Sequence, residues 1–218
     1  MGSEMCIRDR IRAELNITDN FPIVLYQGGL QQGRGLHRII DAARSVTNAH
    51  FVLIGGGRLE DTLKQQSIDA GLEARVHFIP TVALAELPEY TVSADIGVQA
   101  IENTCLNHFS TDSNKLFEYL VAGLPIVATN LPEIRKIVRE FDLGCLVEPG
   151  DTIQLADAIQ QLVDSEGLRK KFALNASNTA KELNWQAQEK DFIDAYTDVV
   201  NANYQQSSIG QSVEDTIP

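Results

Sequence analysis

Short apolar runs without polar alternation recur along this chain: Ile23 to Tyr26, Phe51 to Ile54, Val76 to Ile79, Ile96 to Gln99, Ile126 to Thr129 and Cys145 to Val147. A sheet face open to water would carry a polar residue at every second position, so such runs belong to strands covered on both faces. Between them lie segments of helical periodicity, Leu36 to Val46, Leu59 to Ala70, Leu84 to Ser93, Asn114 to Ala122 and Pro132 to Glu140. Strand and crossover helix in alternation predict an α/β domain built on a doubly wound, mostly parallel six-stranded sheet. After the last strand only helical patterns follow: Thr152 to Asp164, Leu168 to Glu182 and Trp185 to Tyr204.

No internal repeat or interior linker divides residues 21–204, which are expected to form one domain. The opening MGSEMCIRDR has mixed charge and no core pattern, and it resembles translated sequencing-adapter read-through. Residues 1–20 are therefore expected to be a non-native or flexible leader, and the chain the surviving portion of a longer gene. The polar stretch of residues 205–218 reads as a disordered tail.

Composition limits the partners. Lys and Arg number 18 against 30 Asp and Glu, a net charge of −12, which argues against nucleic acid and against an anionic membrane surface. Any phosphate bound here must be held by a few local groups. Cys6, Cys105 and Cys145 are widely spaced, with no CxxC and no Cys/His cluster. They read as reduced, buried thiols and give no metal site. No apolar run approaches the roughly 18 residues of a membrane span, and no signal peptide is visible. The expected location is cytoplasmic, with any membrane-peripheral association left to a part of the protein not present in the chain.

In a doubly wound sheet the ligand sits at the carboxyl ends of the strands. After the first strand comes YQGGLQQGRGL, where Gly28, Gly29, Gly33 and Gly35 allow close backbone approach and Arg34 offers a fork of donors. After the second comes Gly55, Gly56 and Gly57 at a helix start, a plausible anion site. A tight strand-to-helix turn explains either loop alone equally well. The dinucleotide fingerprint G-x-G-x-x-G is incomplete at both, because its third place falls on Glu60 or on Arg38. An NAD(P) oxidoreductase is therefore disfavoured.

One further stretch, STDSNKLFEYLVAGLPIVATN from Ser110 to Asn130, is unusual. Ser113 and Asp112 are both suitable N-caps, Gly123 ends the helix and Pro125 prevents its return. Asn114, Lys115 and Glu118 crowd one side of its first turn. A surface ion pair between Lys115 and Glu118 would contribute only a few tenths of a kcal/mol.

The order YQGGLQQGRGL, FVLIGGG, VHFIPTV, ADIGVQAI, SNKLFEYLVAGLPIVAT and LGCLVEPGD resembles the C-terminal, donor-binding half of a GT-B glycosyltransferase, and is similar to the retaining family 4. The resemblance covers Phe21 to Tyr204 and implies a Rossmann-like fold and a nucleotide-diphosphate sugar as donor substrate. It implies that Glu118 takes the ribose hydroxyls, and that Arg34 stands where the family usually has a lysine on the diphosphate. Lys115, Asn114 and the first-turn amides would add to that grip, with Gly28, Gly29 and Gly56 in the flanking loops. The base would stack near Phe78 to Val82 and bond the backbone around Pro80 and Val82. Arg34 and Lys115 would stabilise the leaving group, with no metal and no further cofactor, consistent with the lack of an Asp-x-Asp motif.

Two positions depart from the family pattern. Gly29 stands where an arginine is usual, and Ser110 where the first glutamate of E-x7-E would contact the donor sugar. Glu102, His108 and Asp112, in the same loop, are the candidates to take its place. A non-catalytic nucleotide-sugar-binding module and a nucleotide-sugar 2-epimerase remain as alternatives. The resemblance also implies a partner domain, absent from this chain, that binds the acceptor. Without it, the apolar side of the helix beginning at Trp185 (Phe192, Ile193, Tyr196, Val199, Val200) is expected to give weak self-association.

Overall fold

The computed structural model describes residues 9–111 and 113–211. Cys6, Asp112 and the expectations for residues 1–8 and 212–218 lie outside them. Six strands form one sheet: β1 (Ile23–Gln27), β2 (His50–Ile54), β3 (Val76–Ile79), β4 (Ile96–Gln99), β5 (Ile126–Thr129) and β6 (Gly144–Val147). Their order is β3-β2-β1-β4-β5-β6 and every pairing is parallel. Every residue of β1, β2, β4 and β5 is buried, which explains why these strands lack polar alternation.

The helices are α1 (Arg10–Leu15), α2 (Leu36–Ser45), α3 (Glu60–Asp69), α4 (Leu87–Val92), α5 (Leu106–Phe109), α6 (Asn114–Val121), α7 (Pro132–Glu140), α8 (Thr152–Asp164), α9 (Glu166–Thr179) and α10 (Trp185–Gln211). The main core lies between one sheet face and α2, α3 and α8, with Val24, Tyr26, Phe51, Leu53, Val98 and Val127 meeting Ile39, Ile40, Leu63, Leu155 and Ile159. The alternate residues of the strands face α4 and α6: Gly97 packs on Tyr119, and Gln27 reaches Thr91. Gly123 ends α6 at φ 70°, where its N–H meets Leu120 O and that of Leu124 meets Tyr119 O. A side chain resists that left-handed turn, and the pattern is the expected glycine stop.

The structure departs from the sequence expectations at both ends of the domain. The leader is not flexible throughout, because α1 docks on α4. Ile11 is fully buried, Arg10 bonds Glu89 at 2.6 Å, and the Tyr90 hydroxyl donates to Glu14 at 2.6 Å. A single buried isoleucine in six residues is too weak a pattern to read as a helix. The chain forms two compact units, Met1–Ala180 and Lys181–Pro218. Helix α10 runs on past Tyr204 to Gln211, and Phe192, Ile193, Tyr196, Val199 and Val200 on it are exposed. Cys105 is exposed rather than buried, and Cys145 is partly buried. Among the described residues no helix is long and apolar enough to cross a membrane.

The sheet opens at one place. β1 and β2 pair along five residues, but β1 and β4 pair only at Val24↔Ile96 and Leu25↔Gly97. The Tyr119 hydroxyl fills the gap, donating between Leu25 O at 3.1 Å and Val98 O at 3.2 Å and accepting from the Gln27 N–H at 3.3 Å. Tyr119→Phe strips these buried backbone groups of their partner. It should lower stability by about 1–3 kcal/mol, read as a fall in the urea midpoint at unchanged slope. Gly97→Ala should also destabilise, since a β-carbon there would stand 2.5 Å from the Tyr119 ring.

Candidate functional site

Where β1 and β4 part, the connections leave the sheet in opposite directions, and this switch point is where open α/β sheets bind ligands. Backbone bonds tie the surrounding loops together. Gly28 N–H meets Ile54 O at 2.9 Å, Leu30 N–H meets Gly56 O at 3.0 Å, and Gly55 N–H meets Ile79 O at 3.0 Å. Gly55 is required here: it sits at φ 139°, and a β-carbon would fall 2.1 Å from Gly28 O. The glycine loops thus close the crevice floor by direct backbone contact.

Lys115 extends from the first turn of α6 back across this floor. Its Nζ lies 3.1 Å from where a β-carbon on Gly28 would stand and 5.4 Å from the Tyr26 ring centroid. Burial, and then the Arg34 guanidinium, push its pKa from the usual 10.5 down to about 8, while Glu118 pulls the other way. Burial also raises the Tyr26 phenol to about 12 against the opposing effect of Arg34. Lys115 and Arg34 therefore act on the same small region. Neither has an ion pair among the described residues. The surface pair of Lys115 with Glu118 is not formed.

Glu118 instead accepts from Gln27 Nε2 at 2.6 Å, and Gln27 Oε1 accepts from Thr91 Oγ1 at 2.8 Å. Beside this carboxylate lies an apolar cleft of about 320 Å³ between α4 and α6, walled by Leu84, Leu87, Pro88, Phe117 and Val121. A larger depression of about 440 Å³ lies at the amino ends of the strands, against Asp95 and Pro125. Ligands of such sheets do not bind at that end.

The remaining candidates fall around the same crevice. Gly29 is exposed, and its carbonyl accepts from Tyr26 at 3.0 Å. Gly56 stands beside the loop after β3, with Thr81 Oγ1 3.2 Å from its would-be β-carbon. Pro80 is exposed and Val82 half-buried in that loop, and Asn114 is exposed at the start of α6. Ser113 precedes α6 but does not cap it: its φ is 31° and its side chain takes no capping bond. Among the described residues the first-turn amides thus have no side-chain acceptor. In the loop after β4, Ser110 bonds back to Leu106 O, Glu102 pairs with Arg38 at 3.1 Å, and His108 bonds Thr104 with its ring against Gly33. Gln27 and Thr91 were missed by sequence reasoning. The one available signal was a glutamine ending the otherwise apolar β1.

An all-parallel doubly wound sheet with glycine loops and two cations at its switch point defines a Rossmann-like ligand-binding domain. The chain belongs to the family Glycosyl transferases group 1, which matches residues 7–179. It is 26% identical over 168 residues to the lipopolysaccharide core biosynthesis glycosyltransferase LpsE of Rhizobium meliloti, covering 77% of this chain and 47% of that protein. It is also 26% identical to the phosphatidyl-myo-inositol mannosyltransferase of Mycobacterium leprae, covering 82% and 47%. Among solved structures, Anabaena Alr3699/HepE in complex with UDP superposes with a TM-score of 0.79 at 22% identity, covering 88% of this chain and 53% of that one. Sucrose-phosphate synthase from Thermosynechococcus elongatus gives 0.78 at 23% identity, covering 88% and 48%. The chain spans about half the length of the curated relatives it matches.

The site's electrostatics can be tested without ligand. Lys115 should titrate near pH 8, read by NMR of the methylated lysines. Arg34→Ala should raise that value part of the way towards normal, because burial remains, and Glu118→Gln should lower it further.

Proposed function

We propose that this chain is the donor domain of a retaining glycosyltransferase. It binds a nucleoside-diphosphate sugar for transfer of a hexose-type sugar to a carbohydrate or lipid-linked acceptor. The observation that carries this reading is the convergence of Lys115 and Arg34, neither of them in an ion pair among the described residues, in a chain of net charge −12. A lysine whose proton is disfavoured by burial and by a neighbouring arginine gains from an anion beside it. A diphosphate meets both, and the first turn of α6, which the Ser113 side chain does not cap, adds N–H groups and the positive end of its dipole.

Glu118 lies one turn further along α6, beyond reach of direct repulsion by the diphosphate, and accepts the vicinal ribose hydroxyls through charge-assisted bonds. The base lies by the loop of Pro80 and Val82, next to the apolar cleft. When the bond between the sugar's anomeric carbon and the diphosphate oxygen breaks, its electron pair stays on that oxygen. Lys115, Arg34 and the helix end neutralise the charge. The donor group is a substrate, and the step uses no metal or further cofactor. The acceptor belongs to a second domain outside this chain, supported by the half-length match to its relatives.

Calorimetry with UDP and uridine tests the assignment. Glu118→Ala should weaken UDP binding roughly 10- to 150-fold and lower stability by about 1–3 kcal/mol, because the buried Gln27 amide loses its acceptor. Arg34→Ala and Lys115→Ala should each weaken UDP far more than uridine, and equal losses on both would remove the cations from the diphosphate. Wild-type affinity for UDP should also fall as pH rises through 8, where Lys115 loses its proton, and Lys115→Ala should abolish that component. The 218-residue chain should fold but transfer no sugar, since positioning two substrates supplies about 7–11 kcal/mol of barrier reduction in favourable cases.

A further inference from the structure

Gln27 is the last residue of β1 and only 1% exposed. Its amide is held at both ends, by the Thr91 hydroxyl on Oε1 at 2.8 Å and by Glu118 Oε2 on Nε2 at 2.6 Å. The Thr91 hydroxyl lies between this amide oxygen and Leu87 O, 2.9 Å away in the preceding turn of α4. The amide cannot turn over, because its oxygen would then face a carboxylate oxygen at the same distance. A fixed donor therefore holds one particular oxygen of a side chain that has three rotatable bonds.

Without that donor, Glu118 has an obvious alternative. Lys115 is three residues away on the same helix, the spacing at which opposite charges meet. Yet no Lys115–Glu118 contact within salt-bridge distance forms among the described residues, and Lys115 lies over Gly28 instead. A Lys115–Glu118 pair would neutralise the cation and turn the carboxylate away from the crevice.

We infer that Gln27, oriented by Thr91, is a positioning residue that holds Glu118 Oε2, so that the carboxylate meets the ligand's vicinal hydroxyls and Lys115 stays free for its phosphates. The inference rests on the ribose role proposed for Glu118. It assigns to the buried end of β1 a share in selecting a ribonucleotide over its deoxygenated counterparts.

Calorimetry of the full chain with UDP and 2′,3′-dideoxy-UDP provides the test. Wild type should prefer UDP. Gln27→Leu should lose about tenfold on UDP, the lower bound for one hydrogen bond to a charged group, and nothing on the dideoxy ligand. Added to Glu118→Ala it should cost almost nothing more, since the two act as a unit. The Lys115 pKa should rise above 8 in Gln27→Leu as Glu118 swings towards it. A merely structural residue would not move that value.

Gln27→Glu, nearly isosteric, guards against a folding failure. Two facing carboxyls disfavour double ionisation, so a shared proton restores the bridge at low pH and repulsion between the two anions breaks it at high pH. Its UDP affinity relative to wild type should therefore rise on acidification from pH 7 to 5. A wild type that binds neither ligand, or both equally, overturns the ribose reading and this inference with it. A wild type that discriminates while Gln27→Leu loses equally on both ligands, or on neither, overturns this inference alone.

Discussion

The structure depends on one buried hydroxyl. Parallel strands that separate leave backbone donors and acceptors without ladder partners, and in a sheet covered on both faces water cannot replace them. Tyr119 reaches from α6 into the gap between β1 and β4 and serves groups of both strands at once. The same bond fixes the height of α6 over the sheet and brings its amino end to the strand ends. Gly97 makes room for the ring, and Gly123 closes the helix after the last turn that the tyrosine needs. The crevice is therefore the solvated continuation of a packing problem solved in the core.

Charge is handled locally. A chain with twelve excess negative charges does not attract phosphate through its overall field. What it has is a lysine partly withdrawn from water and set near an arginine, with neither in an ion pair among the described residues. An isolated buried cation is unfavourable. The glycine loops make it tolerable by bringing backbone rather than side chains alongside. The nearby carboxylate could cancel the lysine, but a neutral amide holds it. Opposite charges three residues apart on one short helix are thus kept separate by a residue from a different element.

Support for this arrangement reaches further than the crevice. Thr91, which orients the Gln27 amide, lies on α4, and α4 is held from behind by α1 through Arg10, Ile11 and Glu14. A segment that reads as a leader is part of the packing behind the site. The short helix α4 has little stability of its own, so its position follows from these contacts.

The sequence by itself determined the sheet, its parallel sense, most helix boundaries to within a few residues though not α1, α5 or the end of α10, and the glycine loops flanking the crevice. These are written in local periodicity and in backbone geometry that only certain residues adopt. It also placed Arg34, Lys115 and Glu118 near one another, because two of them share a helix turn and the third follows the first strand. What it did not determine was pairing. Whether Lys115 meets Glu118 or turns to Gly28, whether Glu102 is free or bound to Arg38, and whether Ser113 caps its helix depend on side chains distant in the sequence. Gln27 and Thr91 are 64 residues apart, and Gln27 and Glu118 91. Only the closing of the sheet decided those contacts, since a hydrogen bond requires two groups within about 3 Å and no local pattern records that meeting.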